Sequence, residues 1–303
     1  MNYSEILGKA WRITWKNPAL WLFGFLVDIS GLPGNVVRFI VDEGTNRSGL
    51  SGASASVPPG LALALGVAAL FGAVLSIAFA ILSLISQAAL ISMFRKIDRG
   101  EKPSVGKGFA DGAKHFLSML GITLILGIPF GFAAFILILA IVIPLVISFS
   151  TGAEAVGIIF AVLGVVAFLA IIVGAIVVGI LTIYSNSFRV IEGTGVFASI
   201  SKGFGLFRRR IGQSATFWFV MLGVTLLSVI AMLLVALTTL VPAFFAIRTH
   251  LISGILLAVP GIILLGFGAT ILQSFSSGAW TLAFLSMSGL GGSPVGEGIE
   301  YQI

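Results

Sequence analysis

The sequence predicts an all-α integral membrane bundle of six transmembrane helices in three tandem parallel repeats, each preceded by a short basic amphipathic helix. Three observations carry this expectation. Long windows hold no charged residue, the basic residues cluster between those windows, and a basic-aromatic motif recurs three times at nearly constant spacing. The composition agrees. Of 303 residues, 58% are hydrophobic and 9% charged, against about 25% charged in an average soluble domain. A water-exposed surface cannot be made from that material, which excludes a soluble enzyme, a disordered chain and a conventional nucleic-acid binder.

A bilayer core of ~30 Å takes about 20 apolar residues of helix, and the uncharged windows supply five such stretches. The first lies between Arg47 and Arg95, dense over 60–94, and the second between Lys114 and Glu154. The others are 155–188, 211–247 and 251–287. A sixth segment, 18–29, has only about a dozen apolar residues before Gly31 and Pro33. Topology favours its crossing. Basic residues cluster at Lys9, Arg12 and Lys16, between Arg95 and Lys114, and between Arg189 and Arg210. The positive-inside rule sets such clusters in the cytoplasm, and the first joins the other two only if 18–29 crosses. Of 17 Lys and Arg, 14 then lie inside, with Arg38, Arg47 and Arg248 outside. The expectation is a multi-pass protein of the plasma (inner) membrane with both termini cytoplasmic and no cleaved signal peptide. An outer loop over 31–59 carries the glycosylation-type triplet Asn46-Arg47-Ser48.

Self-similarity gives the repeats. Gly8-Lys9-Ala10-Trp11 recurs as Gly106-Lys107-Gly108-Phe109 and as Ser201-Lys202-Gly203-Phe204, the lysines 98 and 95 residues apart. Seven positions after each lysine stands another basic residue: Lys16, Lys114 and Arg209. A second motif, Phe94-Arg95-Lys96-Ile97-Asp98, returns 94 residues later as Phe188-Arg189-Val190-Ile191-Glu192. The chain is thus one membrane domain, 1–303, with repeats at approximately 1–98, 99–193 and 194–303. Units of two spans keep one orientation, so the repeats are parallel.

Each unit is expected to hold a basic amphipathic segment, an outgoing helix and a returning helix. In the first segment Tyr3, Ile6, Leu7, Ala10 and Trp11 follow helical spacing, and Asn2 with Glu5 resembles a capping box. In the third, Phe197, Ile200, Phe204, Phe207 and Ile211 form the apolar stripe. Such helices commonly lie in the headgroup plane. Lys9, Arg12, Lys16, Lys107, Lys114, Lys202, Arg208, Arg209 and Arg210 are therefore the candidate contacts to anionic lipid; fixing topology is the alternative role. The first returning helix, 60–94, spans about 53 Å at 1.5 Å per residue. It must tilt, kink or project beyond the membrane, where Asp98 and Glu192 can clamp nearby basic residues.

Catalytic chemistry finds little material. There is no cysteine, and His115 and His250 fall on opposite sides of the membrane. Gly100 to Lys107 departs from a phosphate-binding loop: five residues separate Gly100 from Gly106, and Gly108 follows the lysine where Ser or Thr should stand. No cofactor or metal is expected, and no enzyme activity. The intramembrane polar candidates are Asp28, Gln87, Asn186 and Gln273. Asp28 reads best as the outer end of a short helix, and the amides as interhelical hydrogen bonds. Gly127 and Gly131 have close-packing spacing, a match that 38 glycines also give by chance. Pro129, Pro144, Pro242 and Pro260 are expected to kink their helices.

The basic-aromatic starts, Lys9-Ala10-Trp11 and 196–210, each lead into a span. In this the chain resembles the polytopic membrane region associated with bacterial glycerophosphoryl diester phosphodiesterases and related bacterial membrane proteins. The resemblance implies a fold type and a bacterial inner membrane. It carries over no catalytic residue, because that family's phosphodiesterase domain has no counterpart in this sequence. The expected function is non-enzymatic: organising or binding anionic lipid, or a membrane-protein partner, at the cytoplasmic face. The alternative is a transporter or lipid-handling channel with a polar cavity between the repeats. Nucleic acid is not an expected partner.

Overall fold

The computed structural model describes residues 2–29 and 59–291. They form eight helices: α1 (Tyr3–Lys16), α2 (Ala19–Asp28), α3 (Pro59–Asp98), α4 (Val105–Ser150), α5 (Glu154–Glu192), α6 (Val196–Arg209), α7 (Ile211–Thr249) and α8 (Leu251–Ser288). Five of them, α3, α4, α5, α7 and α8, are long and apolar enough to cross a membrane. The expected outer loop and its Asn46 triplet lie outside the described residues.

The chain divides into two compact units, one of 1–116 with 217–303 and one of 117–216. In the first, Asn2 caps α1 by accepting the Glu5 amide, and Asn17 with Pro18 ends it. The ten residues of α2 rise about 15 Å, half a bilayer core of ~30 Å. Within the described residues the segment expected to be the sixth span is therefore not a full-length helix. Leu20, Phe23, Gly24 and Val27 bury one stripe of α2 against α3 and α8. Ser274 Oγ donates to the Leu20 carbonyl at 2.9 Å, and Ser83 Oγ to the Val27 carbonyl at 3.3 Å. A Cβ on Gly24 would overlap Ser274 Oγ and crowd the Thr270 carbonyl. Ser274 thus faces α2 at both Leu20 and Gly24.

Both α3 and α8 are buried at the C-terminal half. On α3, Leu63, Leu70, Phe71 and Ile77 are exposed, whereas Ala88, Leu90 and Phe94 are fully buried. On α8, Ile252, Leu256 and Ile263 are exposed, and Ala279, Ala283 and Phe284 are buried. Such continuous exposed apolar surface suits lipid chains rather than water. Small residues let the helices close up: Gly278 meets the Phe94 ring, and Gly254 and Gly261 of α8 meet Ile247 and Thr239 of α7.

In the second unit α5 follows the same division, with Ile158, Val162, Val166 and Val173 exposed and Ile180, Tyr184 and Ile191 buried. Gly193, at φ +70°, terminates it in the left-handed conformation that glycine adopts without a Cβ clash. Arg189 Nη1 donates to the Gly193 and Thr194 carbonyls and closes the turn into α6. Tyr184 donates its hydroxyl to Ser214 Oγ at 2.8 Å, tying α5 to the first turn of α7.

Two expectations need correction. The second basic segment is not a separate helix, since α4 is continuous over 46 residues. Pro18 breaks the chain after α1, and Arg210 leaves helical geometry after α6 (φ −125°, ψ 30°), but Lys114-His115-Phe116-Leu117 contains nothing to stop a helix. The Gly127 and Gly131 spacing behaves as a chance match, since a Cβ on either would meet nothing within 4 Å. The apolar stripe expected of α6 is split: Phe207 is buried beside Ser199 and Gly203, while Phe197, Phe204 and Ile211 are exposed. The helices run on through Pro129, Pro144, Pro242 and Pro260.

Candidate functional site

The recurring Lys-small-aromatic triplet does three things at once. Consecutive helical residues point about 100° apart, so its three side chains face three directions. The small residue docks. Ala10 is fully buried where α1 packs on α8. Gly108 is buried against Met93 of α3, and Gly203 against Ser185 of α5, where a Cβ would lie 2.6 Å from each side chain. The aromatic turns outward: Trp11, Phe109 and Phe204 are 47%, 42% and 53% exposed. The lysine reaches back to an acid in two of the three copies.

Lys9 Nζ lies 2.6 Å from Asp98 Oδ1, whose side chain is only 6% exposed. Lys202 pairs with Glu192 and sits 5.8 Å over the Phe188 ring. Both acids end the Phe-Arg-x-Ile-acid motif, which is therefore a clamp. Lys107 is exposed and is without an ion pair among the described residues, since Asp98, the acid at the end of α3 on which its segment docks, is held by Lys9. The end of α8 carries a related sequence. Phe284-Leu285-Ser286-Met287-Ser288 stands 96 residues after the second copy of the motif, followed by Gly289 at φ +73° as Gly193 follows Glu192. Ser288 replaces the acid. Although α1 packs on α8, its lysine pairs with Asp98 of α3. Sequence reasoning missed this third copy because its charges are gone.

A second polar cluster joins α3 to the start of α4. Asp111 Oδ2 accepts from Lys96 Nζ at 2.6 Å and from Ser92 Oγ at 2.8 Å. His115 donates Nδ1–H to the Asp111 carbonyl at 2.8 Å. Asp111 precedes the uncharged stretch of α4, which begins at Phe116. Its carboxylate fastens α3 to the start of α4.

Of the nine basic candidates, Lys9 and Lys202 are thus paired. Arg12, Lys16, Lys107, Lys114, Arg208, Arg209 and Arg210 are exposed on the segments themselves. The polar candidates are divided: Asp28, Gln87 and Gln273 belong to the first unit and Asn186 to the second. Asp28 is the exposed last residue of α2. Gln87 donates to Ser83 Oγ at 3.4 Å, the same serine that holds Val27. Gln273 is half-buried beside Ser274. Asn186 is 6% exposed, and its buried Oδ1 has no hydrogen-bond partner among the described residues. Its counterpart 94 residues earlier, Ser92, bonds Asp111, but the position 95 residues after Asp111 is Leu206. Among the described residues no three His, Asp or Glu side chains stand together as a metal site would require.

By the length and apolarity of its helices this chain is a multi-pass membrane protein. No family model, curated protein or solved structure matches it.

Proposed function

We propose that this protein is a non-enzymatic organiser of the bacterial inner membrane that binds anionic lipid along the basic segments at its cytoplasmic face. The observation that carries the reading is the division of labour within the Lys-small-aromatic triplet. Docking and clamping consume Ala10, Gly108, Gly203, Lys9 and Lys202. They leave exposed aromatics beside exposed Arg12, Lys107, Lys114 and the run Arg208-Arg209-Arg210. Aromatic rings with basic neighbours suit the boundary between acyl chains and anionic headgroups.

The reading includes three parallel units and six crossings. Two basic segments pack on the long helix that precedes them, 105–116 on α3 and α6 on α5, and α1 packs on α8. The clamp of Lys9 on Asp98 supports the sixth crossing. It fastens α1 to the end of α3, whereas α3 begins at Pro59, about 60 Å away along its 40 residues. A chain leaving α1 must therefore cross before α3 can cross back. The contacts of Trp11 with Phe275 and of Phe217 with Trp280 put α1, the start of α7 and the C-terminal half of α8 at that same end, which supports both termini being cytoplasmic.

The transport reading draws on one feature, the half-length α2 ending in Asp28, since interrupted helices form ion sites in transporters. Ser83 is accounted for by its bond to the Val27 carbonyl, and Gln87 by its bond to Ser83. The test is native mass spectrometry of correctly inserted protein. Changing Arg208, Arg209 and Arg210 together to Gln should strip co-purifying anionic lipid, with added salt mimicking the loss. Unchanged lipid in that variant would reduce the basic residues to topology signals.

A further inference from the structure

We propose that one anionic glycerophospholipid seats along an aromatic row on α1, α2 and α8, with its phosphate on Arg12 and one acyl chain against Trp15, Trp21 and Phe267. The inference rests on the lipid-binding reading above and gives it a defined site.

The row is continuous. The Trp11 and Trp15 rings stack with centroids 5.5 Å apart, Trp15 lies 5.8 Å from Trp21, and Trp21 meets the edge of Phe267 at 5.1 Å. It is also fixed in place. Trp21 donates Nε1–H to the Thr14 carbonyl at 2.9 Å, and Trp11 stands edge-on to buried Phe275 at 5.7 Å. Yet Trp15 is 54% exposed and Phe267 is 45% exposed. A row held rigid from beneath and bare on top is preorganised for an apolar occupant, because no side-chain freedom is lost on binding.

Charge and depth choose the occupant. On α1 the aromatic pair Trp11 and Trp15 and the basic pair Arg12 and Lys16 are two adjacent stripes, each spaced four residues and all exposed. The guanidinium of Arg12 offers a planar fork that matches a phosphate. At its far end the row continues into the exposed apolar run Leu264, Ile263 and Leu256 of α8. A molecule spanning this path needs an anionic head and a long hydrocarbon tail, which a glycerophospholipid has and a soluble anion lacks. Indole rings at the headgroup boundary suit this depth.

The chain has five tryptophans, and Trp218 and Trp280 lie outside the row, so a W218F/W280F background reports on it alone. That protein is placed in phosphatidylcholine vesicles holding a minor fraction of brominated phosphatidylglycerol or, in parallel, brominated phosphatidylcholine. Bromines quench indoles they touch. Phosphatidylglycerol should quench more strongly, with local enrichment of about five-fold for one basic residue at the membrane surface. R12Q should abolish the difference and R12K should keep most of it. Equal quenching by both lipids, or a preference that survives R12Q, overturns the site. Quenching by neither lipid, the outcome if a second copy covers the row, also overturns it. If R208Q/R209Q/R210Q loses anionic lipid while the row shows no preference, this site alone fails. If neither responds, the wider reading fails with it.

Discussion

Lys9 and Asp98 meet at 2.6 Å, joining the N-terminal helix to the far end of a 40-residue helix. The pair fixes α1 on α3. Lys107, on the segment that docks on α3, is exposed, and Ser288 stands where the other two motifs carry an acid. Breaking a buried ion pair strands the surviving charge at a cost of ~3–5 kcal/mol, whereas an exposed pair is worth up to ~1. Asp98 is buried and Lys9 is partly exposed, so Lys9→Met should destabilise by about 1–3 kcal/mol. Lys107→Met should change little. Thermal unfolding in detergent compares the two, and equal effects would refute the clamp.

Asp111 fastens α3 to the start of α4 by accepting from Lys96 and Ser92. Asp111→Ala leaves both donors without their acceptor and should cost about 1–3 kcal/mol. Ser92→Ala removes one bond and should cost less, about 1 kcal/mol. Thermal unfolding in detergent compares them, and an Asp111→Ala variant as stable as wild type would contradict this.

The docking glycines should separate sharply from the others. Gly203→Val places its side chain into Ser185 and should cost about 1–3 kcal/mol, as overpacking does. Gly127→Ala and Gly131→Ala face open space and should be neutral or stabilising by up to ~1 kcal/mol, since alanine favours helix over glycine. Melting of the three variants decides. Equal loss at Gly127 and Gly203 would remove the docking role.

The long spans were legible because apolarity over twenty residues is a local property, and the end of α1 was legible in Pro18. What sequence could not divide was apolar surface facing protein from apolar surface facing lipid. Helices packing in a membrane select small residues at their contacts, so α6 docks through Ser199 and Gly203 and shows Phe197 and Phe204 outward. Periodicity had grouped those phenylalanines with Phe207 as one face. The union of 105–116 with α4 was missed because the absence of a breaker leaves no mark in the sequence. Among the site residues, Lys9 and Lys202 were legible as a repeat, but the motif at the end of α8 was not, because Ser288 stands where the other two carry an acid.

The central claim is that α1, the start of α4 and the end of α8 share the cytoplasmic face, which requires the chain to cross between Lys16 and Pro59. The absence of native cysteine makes single-cysteine labelling of intact cells the direct measurement. Probes replacing Ser4, Ser104 and Ser288 should be protected from a membrane-impermeant thiol reagent until the cells are opened, and a probe replacing Thr151 should react from outside. External labelling at Ser4 with protection at Ser104 would mean that the first segment does not cross, and would contradict the six-crossing account.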